Sequence, residues 1–164
     1  MRTVARFMRV SDTRFEADWR DAFPDRTAPA LPALPRRATA GSAGYDFFAP
    51  AAFELDPGQT AKIPTGVRAR IDDGWVLMLF PRSGLGFKYR LRLDNTVGVI
   101  DADYFGAQNE GHILVKLTNC GDRPLSVRAG EAFCQGVFLP FGVTEDDAAA
   151  GERTGGFGST DGER

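Results

Sequence analysis

Between Tyr45 and Leu139 the sequence is a run of short apolar segments broken by glycine, proline and aspartate turns. The candidate strands are Tyr45–Ala49, Thr60–Ile63, Gly66–Ile71, Trp75–Pro81, Tyr89–Leu93, Val97–Ile100, His112–Thr118 and Ala132–Leu139. Asp56-Pro57-Gly58, Asp72-Asp73-Gly74 and Asn119–Asp122 supply turn chemistry between them. Short strands at this spacing predict an all-β barrel or jelly-roll-like sandwich. No internal repeat and no alternation of strand with helix is present, so dinucleotide-binding and P-loop architectures have little support.

A chain of 164 residues holds one core comfortably and two only with difficulty. We divide it into an N-terminal extension (1–33), a β domain (34–143) and a tail (144–164). In the extension, Val4–Val10 suits a first strand. Ser11 or Asp12 suits the cap of a short helix, with Phe15, Trp19 and Phe23 recurring every four residues along one packed face. Pro24, Pro29, Pro32 and Pro35 then mark an extended linker. The tail is acidic and then glycine-rich, the composition of a segment that stays mobile until something binds.

Composition narrows the function. A net charge of −2 gives no general affinity for nucleic acid or anionic membrane, so any polyanion site must be built locally. No apolar run approaches about 18 residues, and the first residues lack the apolar stretch of a secretion signal. Cys120 and Cys134 are too few for a disulfide framework or zinc site, which leaves a reduced, cytoplasmic setting as the expectation. The single histidine, His112, argues against a Ser-His-Asp triad and forbids a multi-histidine metal site.

Chemistry concentrates in Leu93–Gly106, LDNTVGVIDADYFG. Leu91 and Leu93 alternate with Arg90 and Arg92, Asp94-Asn95-Thr96 suits a hairpin turn, and two carboxylates follow the apolar run Val97–Ile100. Carboxylates directly after a buried run sit where a scaffold presents reactive groups to a cleft. Four further segments stand out: AGYDFFA at 43–49, PRSGL at 81–85, GEAFCQ at 130–135 and RTGGFGST at 153–160. Each is weak alone. Together, in this order and with these gaps, the five resemble the motifs of the trimeric dUTP pyrophosphatases (dUTPases), over roughly Leu34 to Thr160.

The resemblance implies a dUTPase-like β-barrel or jelly roll and hydrolysis of dUTP to dUMP and pyrophosphate, which limits uracil in DNA and supplies dUMP. It implies Mg²⁺, held through substrate phosphates and water rather than by direct protein ligands, and a homotrimer with shared sites. By the same resemblance Asp101 is the base that orients water for attack on the α-phosphorus. Asn95 reads uracil beside Gly98, Tyr104 stacks under the deoxyribose, and Asp46 organises Arg82. Arg82, Ser83, Gly84 and Gln135 meet phosphate, where a planar guanidinium and unobstructed donors suit charged oxygens. Arg153, Phe157, Gly158, Ser159 and Thr160 form a closing flap, with Phe157 over the uracil. Ser83 is not a covalent nucleophile, since no activating base lies nearby in sequence.

Several positions depart from the pattern. Phe105 stands where arginine is usual, Ala107–Gly111 reads as an insertion, the last motif is one residue short between Arg153 and Phe157, and Asp161 replaces glycine. Two alternatives stay open: a dCTP deaminase on the same fold, and a catalytically silent nucleotide-binding module. The first predicts a glutamate base and no glycine-rich tail, against Asp101 and the segment 153–160 seen here.

Overall fold

The structure, a computed structural model, describes residues 2–151. Four open antiparallel sheets, rather than one closed barrel, make up an all-β, jelly-roll-like fold with two short helices. The largest sheet runs β2 (Arg36–Arg37), β3 (Tyr45–Phe48), β12 (Ala132–Pro140), β7 (Trp75–Pro81) and β9 (Gly98–Ile100) in spatial order. A second holds β5 (Thr60–Pro64), β10 (Leu114–Asn119) and β8 (Leu91–Leu93). β1 (Ala5–Arg9) pairs with β6 (Val67–Ile71), and β4 (Phe53–Leu55) with β11 (Leu125–Val127). Alternation turns Phe47, Leu77, Leu79, Val115, Leu117 and Phe133 into one buried core.

The N-terminal segment is bound into this body. β1 lays Phe7 edge-on against Phe47 and Tyr45, ring centroids 5.5 and 5.3 Å away. Helix α1 (Asp12–Ala22) starts at Ser11, whose side chain accepts the Arg14 N–H at 3.1 Å. Phe15 and Trp19 bury with Val10 in a small second core, each contributing about 1.5–3 kcal/mol. Phe23 is the C-cap rather than a helical residue, yet its ring still packs on Trp19 at 4.6 Å.

Two readings of the sequence change. Tyr89 ends a short helix, α2 (Ser83–Tyr89), instead of starting a strand; Arg90 then takes a left-handed backbone (φ 53°), and β8 begins at Leu91. The strands around Asp94-Asn95-Thr96 also do not pair with each other. β8 pairs with β10 and β9 with β7, so this loop carries the chain between sheets and is not a hairpin turn.

His112 is fully buried where α1 meets the body. Its Nε2 accepts the Gly66 N–H at 2.8 Å, so the ring is the neutral tautomer whose Nδ1–H donates to Asp18 at 2.5 Å. Burial holds its pKa below the ordinary 6.5, outweighing the Asp18 carboxylate, which acts the other way. The unfolded chain therefore binds this proton more readily than the folded one, and stability falls as pH drops below about 6.5. Thermal melting between about pH 7.5 and 5.5 is expected to show that fall and a flatter profile in His112→Gln. An identical slope in the variant would remove His112 as the cause.

Candidate active site

The expected site residues form two groups in one chain. The first gathers at the C-terminal end of β7. Gln135 on β12 faces Asp46 on β3 and Phe80 on β7 across the ladders, and its Nε2 donates to the Pro81 carbonyl at 3.2 Å. Asp46 Oδ1 lies 3.3 Å from Arg82 Nε, fixing the near edge of the guanidinium. Ser83 and Gly84, both exposed, open α2 directly after Arg82. A Cβ on Gly44 would sit 2.6 Å from the Gln135 amide oxygen, so glycine there leaves that side chain its room. The corner presents cation, hydroxyl and amide donors, a set suited to phosphate oxygens.

The second group surrounds a cavity of about 330 Å³ where the chain crosses from β8 to β9. Its floor is Leu79, Leu93, Leu114 and Val115, and Asn95 and Gly98 line it. A Cβ on Gly98 would meet the Leu79 side chain at 3.0 Å, so any other residue there would crowd the cavity floor. The loop is tightly turned: Thr96 N–H bonds the Leu93 carbonyl at 2.9 Å and Val97 N–H the Asn95 carbonyl at 2.7 Å. Thr96 takes φ 66°, a costly conformation for a β-branched residue and typical of a segment whose shape serves a ligand.

Asp94, which sequence reasoning passed over, anchors this loop. It accepts from the Thr118 hydroxyl at 2.5 Å and pairs with Lys116 at 3.1 Å. Those contacts, Thr118 first, hold its carboxyl below the usual range. Lys62 lies across the ladder from Lys116 and pairs with Asp21 of α1, so both lysines on the cavity wall are neutralised. Asp94 lies beside Asn95 in the same turn, which is the signal that would have flagged it; its partners lie on the neighbouring strand β10, more than 20 residues on in sequence.

Asp101 is exposed and caps a 3₁₀ turn, Ala102–Gly106, that begins immediately after β9. Tyr104 lies in that turn, 3% exposed, with its hydroxyl donating to the His112 carbonyl at 2.7 Å. Asp101 and Arg82 do not meet within the chain. Ile100 pairs with Leu77, so Asp101 lies at the far end of β7 from Arg82, roughly 20 Å of strand away. Arg153, Phe157, Gly158, Ser159 and Thr160 lie outside the described residues.

A family model described as dUTPase matches residues 32–161. The chain belongs to the dUTPase family. The deoxyuridine 5'-triphosphate nucleotidohydrolase of Lactococcus lactis subsp. lactis is 44% identical over 130 residues, covering 77% of this chain and 87% of that enzyme. The crystal structure of dUTPase from Streptococcus mutans superposes with a TM-score of 0.64 at 36% identity, covering 85% of this chain and 98% of that one. The dUTPase from phage phi11 of S. aureus, in a structure with a structural Mg(II) ion, superposes at 0.65 over 90% of this chain and 97% of its own. At 21% identity that likeness shows the fold alone.

Phe105, which departs from the motif pattern, is itself held in place by a cation. The Arg68 guanidinium of β6 lies 3.7 Å from the Phe105 ring centroid and donates to its carbonyl at 2.6 Å. A cation from a neighbouring strand thus braces the same turn. Nothing in the local sequence announces Arg68, which lies 37 residues away from Phe105. Among the described residues no three His, Cys, Asp or Glu side chains come together as a cation site. Mg²⁺ is usually bound through one or two carboxylates, substrate phosphates and water, a mode that needs no such cluster. No helix among the described residues is long and apolar enough to cross a membrane.

Proposed function

We propose that this dUTPase hydrolyses dUTP to dUMP and pyrophosphate, with Asp101 taking a proton from the water that attacks the α-phosphorus. The observation that carries the reading is the apolar cavity bounded by Asn95 and Gly98. Its volume suits a nucleobase with part of its sugar. Asp101 follows Gly98 by roughly 10 Å of strand, on the scale of a nucleoside. Asn95 and the loop backbone would read the uracil edge, and Tyr104 would wall off the sugar. Arg82, Ser83, Gly84 and Gln135 would spread the phosphate charge, with Asp46 holding Arg82 in place. When bound, Mg²⁺ neutralises phosphate oxygens and orients the leaving pyrophosphate.

The separation of Arg82 from Asp101 supports a site assembled from more than one subunit, and we propose a homotrimer. Arg153, Phe157, Gly158, Ser159 and Thr160 would close over the substrate from the tail, with Phe157 on the uracil. Two unpaired cysteines, Cys120 and Cys134, suit a cytoplasmic enzyme.

Product analysis with each deoxynucleoside triphosphate and UTP, with and without Mg²⁺, tests the reading. The expected result is dUMP and pyrophosphate from dUTP, with dCTP, dTTP and UTP spared. Ammonia from dCTP would overturn the uracil assignment, and turnover of no nucleotide would overturn the reaction.

A further inference from the structure

We propose that the loop from Ala107 to His112, anchored by helix α1, is a positioning device that fixes the Tyr104 ring as a rigid wall against the 2′-hydroxyl of ribonucleotides. This rests on the reading of Tyr104 as the residue under the sugar. The argument starts from the hydroxyl. Tyr104 donates to the His112 carbonyl at 2.7 Å and accepts from Asn109 Nδ2 at 2.7 Å, so the ring is pinned at its far end from both sides. Asn109 is itself held, since its Oδ1 accepts the Gly111 N–H at 3.2 Å and its carbonyl accepts the His112 N–H at 3.1 Å.

The loop presses directly on the catalytic turn. Gly111 takes φ 68°, and a Cβ there would lie 2.6 Å from the Tyr104 carbonyl oxygen and 2.8 Å from Phe105 Cα. α1 holds the loop from outside. Glu110 accepts both the Ser11 N–H (2.9 Å) and its hydroxyl (2.6 Å) at the helix start, and Asp18 holds His112 about two turns further on. These bonds join residues 94 to 99 apart in sequence, and they give the N-terminal segment a link to the site.

Rigidity is what this discrimination requires. An apolar pocket rejects a substrate carrying one added hydroxyl only weakly unless its wall cannot yield. A Tyr104 ring held by its edges alone could swing aside, whereas one tethered at the hydroxyl cannot move without breaking one buried and one half-buried bond.

The test is Asn109→Ala, at a half-buried loop position outside the groups assigned to base and phosphate. Steady-state kinetics with dUTP and UTP are measured for the wild type and the variant, with thermal melting as a check on folding. The expected result is a rise on the order of tenfold in UTP kcat/KM relative to dUTP, with the dUTP kcat little changed. Tyr104→Phe, which keeps the ring and loses the tether, should relax the ratio similarly, and the double variant should relax it no further. An unchanged ratio in both single variants, even with a lowered melting point, would make the network merely structural and overturn the inference. A wild-type enzyme that turns over UTP as well as dUTP would instead overturn the underlying reading of Tyr104.

Discussion

Replacing Asp101 with asparagine is expected to cut dUTP turnover by roughly 10²–10⁴-fold, about 3–5 kcal/mol of transition-state stabilisation, while leaving dUTP affinity nearly intact. An amide matches the carboxylate in shape but cannot take the proton from water. The backbone should accept the change: Asp101 has φ −78° and ψ 159°, ordinary extended values, and its side chain makes no capping bond to the turn behind it. Asp101 is also exposed, so the substitution disturbs no core packing. Binding of a non-hydrolysable dUTP analogue by calorimetry, beside turnover by pyrophosphate release, separates the two effects. Turnover equal to wild type would remove Asp101 from the chemistry; lost binding with intact folding would make it a substrate contact instead.

Local features of the sequence reached far in this chain. The continuous apolar run Trp75–Pro81 and turn residues such as Asp72-Asp73-Gly74 predict strands that the structure contains, because both signals act over a few residues. The Ser11 cap and the Phe15–Trp19 stripe predict α1 for the same reason. What failed was partnership. Nothing in Leu91–Leu93 or Gly98–Ile100 says that the first pairs with β10 and the second with β7, since apolar alternation specifies a buried face and not a neighbour. Helix α2 hid because SGLGFKY carries two glycines and reads as a turn.

The candidate site divides along the same line. Asp46, Arg82, Asn95, Gly98 and Asp101 sit in motif segments and are legible by type and spacing. Arg68 on Phe105, Asp94 with Lys116, and Asn109 on Tyr104 are supports supplied by the folded chain. Such supports join strands and loops distant in sequence, or lie in the inserted loop, where a motif gives no guidance. The sheet register adds a constraint that no list of motifs contains: it fixes how far apart Arg82 and Asp101 lie.

That distance leads to the second large effect. Arg82→Ala should reduce turnover on the order of 10²–10³-fold, because it removes a charged donor from the phosphates as charge develops on them. Co-expressing it with Asp101→Asn, under two affinity tags so that mixed oligomers are isolated, should restore activity. If a site takes Asp101 from one subunit and Arg82 from the next around a trimer, the mixed trimers keep both groups intact in about a third of their sites. The recovered rate should therefore exceed the sum of the two inactive parents by one to two orders of magnitude, on the basis of the losses above. Activity no greater than that sum would place both groups in one chain, and β7 would then have to bend to close the roughly 20 Å that its register imposes. A seven-residue strand paired on both sides, to β12 along its full length and to β9 at its centre, resists such bending. Restored activity is thus the outcome that the ladder itself favours.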